Sequence, residues 1–407
     1  MLSKEENDRL TRVGPGTPGG EFLRRYWHPV ALSEELPQGG APVPVRLLGE
    51  DLVLFRDEQG QLGLLGRHCS HRRGDLSFGR LEDGGLRCLY HGWLYNVHGR
   101  CLEQPGVPTG STFHEKIRHT AYPCRETVGM IFTYMGPGEP PLFPNYEFLS
   151  AATKNVFSYK AFQDCNYLQG NEGNFDPVHL SFVHRFITPG EDFRDEFHAA
   201  DLRPNIEPAE TNFGMHLYAI RNVSDGKQFV KVRSFIMPYS GIVASLGESD
   251  YIVYCHVPID DDTHWRFSIT LSRPKDLDIK RIEKARAGIG EDYHLTRNKS
   301  NRYLQNREEM KTKTFTGMGN DFIVHDAFAI EGQGQIVDRT QENLAYTDRG
   351  IILMRKLMLQ AIQDVEEGRD PLGVVRDPAQ NNFPDLISRD DVLPAGFPWR
   401  EYWKQPL

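Results

Sequence analysis

The sequence predicts an α+β protein in two unequal parts. A small all-β domain comes first, and a larger domain of antiparallel sheet with helices packed against it follows. Three observations carry this reading. From about residue 27 to 136, short β-like runs recur at roughly ten-residue spacing with turn residues between them. The Pro-rich stretch "PGEPPLFPNY", 137–146, then breaks the pattern. Beyond it come four longer strand-like runs and, near the end, one strongly amphipathic helix.

Taken in order, residues 1–26 read as a short helix and a "GPGTPGG" loop. The runs "VPVRLLG", "DLVLFRD", "QLGLLG" and "MIFTYMG" supply strands of the first domain, 27–140. The second domain, 141–370, opens with a segment that reads as helical around 176–187. Strands follow in "GMHLYAIRN", "QFVKVRSFIM", "DYIVYCHV" and "HWRFSITLS". Residues 273–313 are charged and read as a helical surface cover. The stretch 349–368 is the amphipathic helix, with Ile352, Leu357, Ala361 and Val365 near helical spacing. Residues 371–407 carry no comparable pattern and read as a C-terminal tail.

The chain of 407 residues carries 47 Lys and Arg against 56 Asp and Glu, a net charge of −9. That balance argues against nucleic acid or an anionic membrane as the main partner, since both reward positive charge. The start, "MLSKEENDRL", lacks the apolar core of a signal peptide. No apolar run approaches the ~18 residues of a membrane span. Six cysteines are too few for a disulfide framework at this length, so Cys101, Cys124, Cys165 and Cys255 read as reduced thiols. A cytoplasmic protein is the expectation.

The chemistry begins in "RHCSHRRGDLSFGRLEDGGLRCLYHGW", 67–93, where Cys69-x-His71 and Cys88-x-x-His91 stand sixteen residues apart. Two cysteines and two histidines could close a tetrahedral zinc site, but zinc fingers normally pair like with like. Here each pair is mixed. Two such loop tips facing each other suit a 2Fe–2S cluster in which one iron takes both cysteines and the other both histidines, the Rieske type. Replacing two thiolates by neutral imidazoles removes negative charge and raises the potential. A second set of candidate ligands is Asp176, His179 and His184. On an ideal helix Asp176 and His179 lie about 60° apart, but His179 and His184 about 140° apart, so a shared metal needs a distorted turn.

"CSH" and "CLYHGWLYN" resemble the Rieske domain of ring-hydroxylating oxygenase α subunits, and "YWHPVALSEEL", 26–36, resembles the entry into that domain. The segment N-Y-L-Q-x-x-E-G-x-x-D-x-x-H-x4-H, 166–184, resembles the catalytic-domain signature of the same oxygenases. The resemblance implies a helix-grip catalytic domain. It implies a mononuclear non-heme Fe(II) held by His179, His184 and a distant carboxylate, with adjacent positions open for O₂. Asp321, Asp326, Glu331 and Asp338 compete for the third place. "HDAFAIEG" and "DRTQENLAYTD" resemble the branch of phthalate and phenoxybenzoate dioxygenases and dehydrodivanillate O-demethylase. That alignment selects Asp326, with Asp321 as fallback, and leaves Asp338 and Arg339 as an ion pair or helix cap. The family often has Gln where this chain has His325.

The resemblance further implies an oxygenase component that hydroxylates, dihydroxylates or O-dealkylates an aromatic acid or aryl ether. Electrons come from a separate reductase, with or without a ferredoxin. No flavin or nicotinamide is expected in the chain, since no G-x-G-x-x-G fingerprint stands in a strand–turn–helix setting. Asp176 matches a family aspartate that joins an iron-ligating histidine to a cluster histidine of the neighbouring subunit, which implies a homotrimer or a dimer of trimers. An anionic substrate would want an arginine, and Arg221 and Arg233 lie on predicted strands. The competing readings are a Rieske electron carrier with a fused binding domain, a zinc-stabilised binding protein, and a demethylase of a non-aromatic substrate.

Overall fold

The computed structural model describes residues 1–187, 193–244, 251–272, 277–398 and 400. Helix Lys4–Thr11 opens the chain under a capping box in which Ser3 and Glu6 serve each other's backbone amides. A second helix, Pro18–Leu23, occupies part of the stretch read as loop. Thr17 caps it and Pro18 fills its first position, so the turn residues start a helix here.

The first domain is built from three small antiparallel sheets. One joins Trp27–Leu32, Met130–Tyr134 and Cys124–Thr127, and a second joins Val43–Leu47, Glu50–Arg56, Leu62–Gly66 and Ala121–Tyr122. The third, Arg80–Glu82, Gly85–Arg87, Leu94–Tyr95 and Cys101–Glu103, has its own apolar cluster and supports the two Cys/His loops.

The second domain is an eight-stranded antiparallel sheet. Its order is Val156–Gln163, His264–Leu271, Tyr251–Pro258, Ser240–Ala244, Lys227–Ile236, Gly214–Val223 and Asn205–Glu210. The eighth strand, Arg389–Pro394, comes from the segment read as a tail and pairs with Lys227–Val232. Helix Arg349–Glu366 covers the sheet, as expected, but Ile352 is exposed. Leu357, Ala361 and Val365 are buried as expected, and the stripe continues through Ile351, Met354, Met358 and Ile362.

Two expected helices differ. The helix near the candidate ligands is Tyr167–Asn174, upstream of 176–187, and only a single 3₁₀ turn, His179–Ser181, follows it. Pro177 explains the shift, because the residue before a proline is pushed out of the helical region. Of 273–313, only Ile279–Arg286, the 3₁₀ segment Lys299–Leu304 and the turn Glu309–Thr312 are helical, and 273–276 lie outside the described residues.

The two domains share one apolar core. Leu48 and Gly49 donate to the carbonyls of Pro258 and Ile259, and the Tyr239 hydroxyl stands 2.9 Å from His28 Nδ1. All six cysteines are free, and five are buried. No described helix is long and apolar enough to cross a membrane.

Candidate functional site

The N-terminal centre is organised by depth. Cys69 and Cys88 are buried at 1% and 3% exposure, whereas His71 is exposed and His91 half-buried. The two imidazoles converge, with ring centroids 4.4 Å apart, and His71 stacks on Trp93 at 4.6 Å. Each loop closes on itself: Cys69 N donates to Gly74 O, and Gly92 N to Cys88 O. Gly92 makes the second turn at φ +73°, a left-handed conformation that L side chains resist. Burial pushes the Cys88 thiol up, while the amides of Tyr90 and His91 pull it the other way. The Tyr95 hydroxyl lies 3.1 Å from the Cys69 sulfur. Two buried sulfurs with amide and hydroxyl donors aimed at them, under two convergent imidazoles, fit a Rieske cluster.

In the second domain, His179, His184 and Asp326 offer ligand atoms that all lie within 4.8 Å of one another. His184 Nε2 is 2.9 Å and His179 Nε2 is 3.9 Å from Asp326 Oδ1. The distorted turn that the spacing demanded is present. Asp176 accepts from the amides of Val178 and His179, and Val183 N then donates to His179 O. Gly170 lets the preceding helix approach the sheet, since a Cβ there would fall 2.1 Å from His256 Nδ1. Asp326 sits inside helix Phe322–Glu331, and Arg266 Nη1 lies 3.5 Å from its other oxygen.

The electrostatics suit a cation. Burial pushes the Asp326 carboxyl up, but His184, His179 and Arg266 outweigh it and hold it well below the usual carboxylate range. Burial pulls His179 down to about 4 against the opposing charges of Asp176 and Asp326. A neutral imidazole is the form that ligates metal. His179 Nδ1 has no hydrogen-bond partner among the described residues and stands 3.9 Å from Asp176 Oδ2.

Two cavities flank this cluster. One of about 90 Å³ is bounded by His179, His184, Asp326, Lys231, Arg233 and Tyr254. The other, about 310 Å³, is bounded by Asp176, His179, Asp326, Arg266, Gln333 and Val337. The largest groove, about 1120 Å³ between the first helix and Arg349–Glu366, holds none of these residues. Arg233 is buried and donates to the neutral carbonyl of Asn174 at 2.6 Å, with no described carboxylate in ion-pair contact. Lys231 is paired with Asp390 at 2.5 Å.

The competing residues have other partners. Asp321 caps the helix that carries Asp326. Glu331 accepts from the Tyr303 hydroxyl and the Asp164 amide. Asp338 and Arg339 are not a pair, contrary to expectation. Asp338 accepts from Thr340, whereas Arg339 is fully buried on Glu172, which Arg355 also engages. Arg221 turns away from the small cavity to donate to Pro177 O, behind the turn that carries His179. The sequence reading missed Arg266, Lys231 and Tyr254. The available signal was a basic or phenolic residue recurring on one face of otherwise apolar strands.

Residues 26–119 match the family model for the Rieske [2Fe-2S] domain, and residues 133–406 match the model described as LigXa C-terminal domain like. The chain is 37% identical to the oxygenase subunit of 5,5'-dehydrodivanillate O-demethylase from Sphingobium sp. (strain NBRC 103272 / SYK-6), over 97% of this chain and 88% of the relative. It is 33% identical to the oxygenase subunit of phthalate 4,5-dioxygenase from Pseudomonas putida, over 99% and 95%. It is 34% identical to the alpha subunit of phenoxybenzoate dioxygenase from Ectopseudomonas oleovorans, over 90% and 87%. An oxygenase–ferredoxin complex of carbazole 1,9a-dioxygenase shares the fold at 20% identity and TM-score 0.59, covering 93% of this chain and 97% of that one. A caffeine complex of Pseudomonas putida CBB5 NdmA does so at 21% identity and TM-score 0.60, covering 85% and 93%. Sequence identity along nearly the whole chain, and a fold that carries both a Rieske domain and a His/His/Asp cluster, together make this protein a member of the Rieske oxygenase α-subunit family and the oxygenase subunit of such a system.

Proposed function

We propose that this oxygenase subunit acts on an aromatic carboxylate, with His179, His184 and Asp326 holding a mononuclear Fe(II). The observation that carries the reading is Arg233, buried without a described carboxylate partner in the cavity beside those three residues. A carboxylate entering there gains a charged donor that is already desolvated. Tyr254, with Arg266 over its ring, bounds the same cavity. All three relatives named above act on substrates that carry an aromatic acid group. When bound, Fe(II) supplies O₂ activation, for which two histidines and one carboxylate leave open positions. The chain supplies the rest. Arg266 Nη1 lies beside the outer oxygen of Asp326, and Asp176 holds the turn that carries His179 by accepting from the amides of Val178 and His179. The test is product analysis with a panel of aromatic acids, a generic reductase and ¹⁸O₂. Labelled phenol or diol, or for an O-demethylation unlabelled phenol with labelled formaldehyde, from acids and none of these from the matching amides, is the expected result. Turnover of amides and acids alike removes Arg233 from the reading.

The cluster loops support electron entry through the histidine edge, because His71 and His91 reach the surface and the cysteines do not. A bridge from Asp176 to a histidine of a neighbouring subunit is supported by its side chain, 33% exposed next to His179. That arrangement fits electrons passing between subunits of a homotrimer or a dimer of trimers. A reductase, directly or through a ferredoxin, fills the role of donor.

A further inference from the structure

We propose that His325 is the positioning residue that fixes His184 as a metal ligand, through two edge-to-edge imidazoles anchored on the backbone carbonyl of Gly319. This rests on the reading of His179, His184 and Asp326 as the iron site. His325 is wholly buried, one residue before Asp326 on the same helix. Its Nε2 is 2.8 Å from Gly319 O. A carbonyl only accepts, so that nitrogen carries the hydrogen. Nδ1 of His325 faces Nδ1 of His184 at 3.3 Å, so the two rings share one hydrogen between them. A His184 that ligates through Nε2 carries that hydrogen on its own Nδ1 and donates it to His325.

His184 Nε2 is thereby aimed at Asp326 Oδ1, 2.9 Å away. The rings lie 27° from parallel at 5.5 Å, edge to edge, so His325 fixes the orientation of His184. Because residues 325 and 326 are consecutive in one helix, the carboxylate and the ring that sets its histidine neighbour move as one unit. Metal-bound histidines usually donate their second N–H to a carboxylate, carbonyl or water. An imidazole acceptor is neutral, and makes His184 a weaker electron donor than a carboxylate partner would.

The experiment measures Fe(II) binding to anaerobic protein stripped of mononuclear iron with its cluster intact. The geometry is read from the EPR signal of the nitric oxide complex, recorded with the cluster oxidised and silent. His325→Gln can accept from His184 and donate to Gly319, and should bind Fe(II) nearly as wild type does. His325→Leu should bind about 10–100-fold more weakly and give a broadened signal, with the visible cluster spectrum unchanged. His325→Asn, too short to span both partners, should behave like the Leu variant and serves if Leu does not fold. Wild-type affinity and signal in both His325→Leu and His325→Asn, while Asp326→Ala has lost its iron, overturn the role of His325 alone. Unchanged iron binding in Asp326→Ala overturns the site itself.

Discussion

Tyr95 donates its hydroxyl toward the Cys69 sulfur at 3.1 Å, and burial and Cys69 together keep it protonated far into the alkaline range. A donor to a cluster thiolate gains strength when reduction adds negative charge, so it favours the reduced state. If that gain is about 1 kcal/mol, Tyr95→Phe should lower the midpoint potential by roughly 40 mV. Redox titration of the visible spectrum measures it, and an unchanged potential means that the hydroxyl points elsewhere. At the second centre, Asp321 and Asp326 are separated by role as well as position. Asp326→Ala should lose mononuclear iron and turnover while keeping the cluster spectrum. Asp321→Ala should keep its iron and lose ~1 kcal/mol of stability with its helix cap. Metal analysis of the two proteins side by side decides between them.

At the level of elements, the large sheet shows what alternation conceals. In His264–Leu271 one face is Trp265, Phe267, Ile269 and Leu271; the other is His264, Arg266, Ser268 and Thr270, and these four are all buried. Lys231 and Arg233 repeat the pattern on Lys227–Ile236. A polar strand face normally meets solvent. Here it meets the elements carrying His179 and Asp326, and only tertiary structure reveals that. The strands themselves were legible, because apolar runs bounded by turns survive any packing. The Cys/His loops were legible because their spacing is chemistry rather than propensity. The helix expected at 176–187 was misplaced because Asp176-Pro177 also reads as a good helix start, whereas only the single turn His179–Ser181 follows it. The strand Arg389–Pro394 was missed because its charged start, "RDDV", reads as loop. The partner of Arg339 could not be read either, since Glu172 lies 167 residues away. That pairing gives a prediction. Arg339→Met leaves the buried Glu172 with Arg355 only, and should cost about 3 kcal/mol in urea unfolding. The double variant with Glu172→Gln should recover part of it.

For the whole molecule, buried histidines set the acid limit. Burial pulls His28 to about 3 against the Leu23 carbonyl, and His264 to about 4 against the Cys165 carbonyl. His216 is likewise pulled to about 4, with Asp385 opposing. Above the unfolded value of about 6.5, both states are neutral and the contribution is fully present. As pH falls below about 6.5, the unfolded chain binds protons that the native one refuses, so stability drops until about 4 for His264 and His216 and about 3 for His28. Thermal midpoints should be level from pH 8 to 7 and fall steadily from 6 to 4.5; a flat profile contradicts these environments. Assembly is tested at Asp176. Asp176→Asn retains capping ability, so its fold, cluster and iron should persist. Its cluster should still be reduced, yet turnover should fall by orders of magnitude, seen in single-turnover kinetics beside sedimentation of the assembly. Normal transfer, or a monomeric active enzyme, excludes the bridge.

The pairing of Arg389–Pro394 with Lys227–Val232 also governs the order in which the molecule can be made. Lys231 meets Asp390, 159 residues further along the chain. Until residues 389–394 are made, the emerging sheet has an open edge at "KQFVKV" and a lysine that cannot be buried without its counter-charge. A nascent chain must wait for that strand, and a protease that nicks the mature enzyme just before it unzips the wall of a cavity far away in sequence.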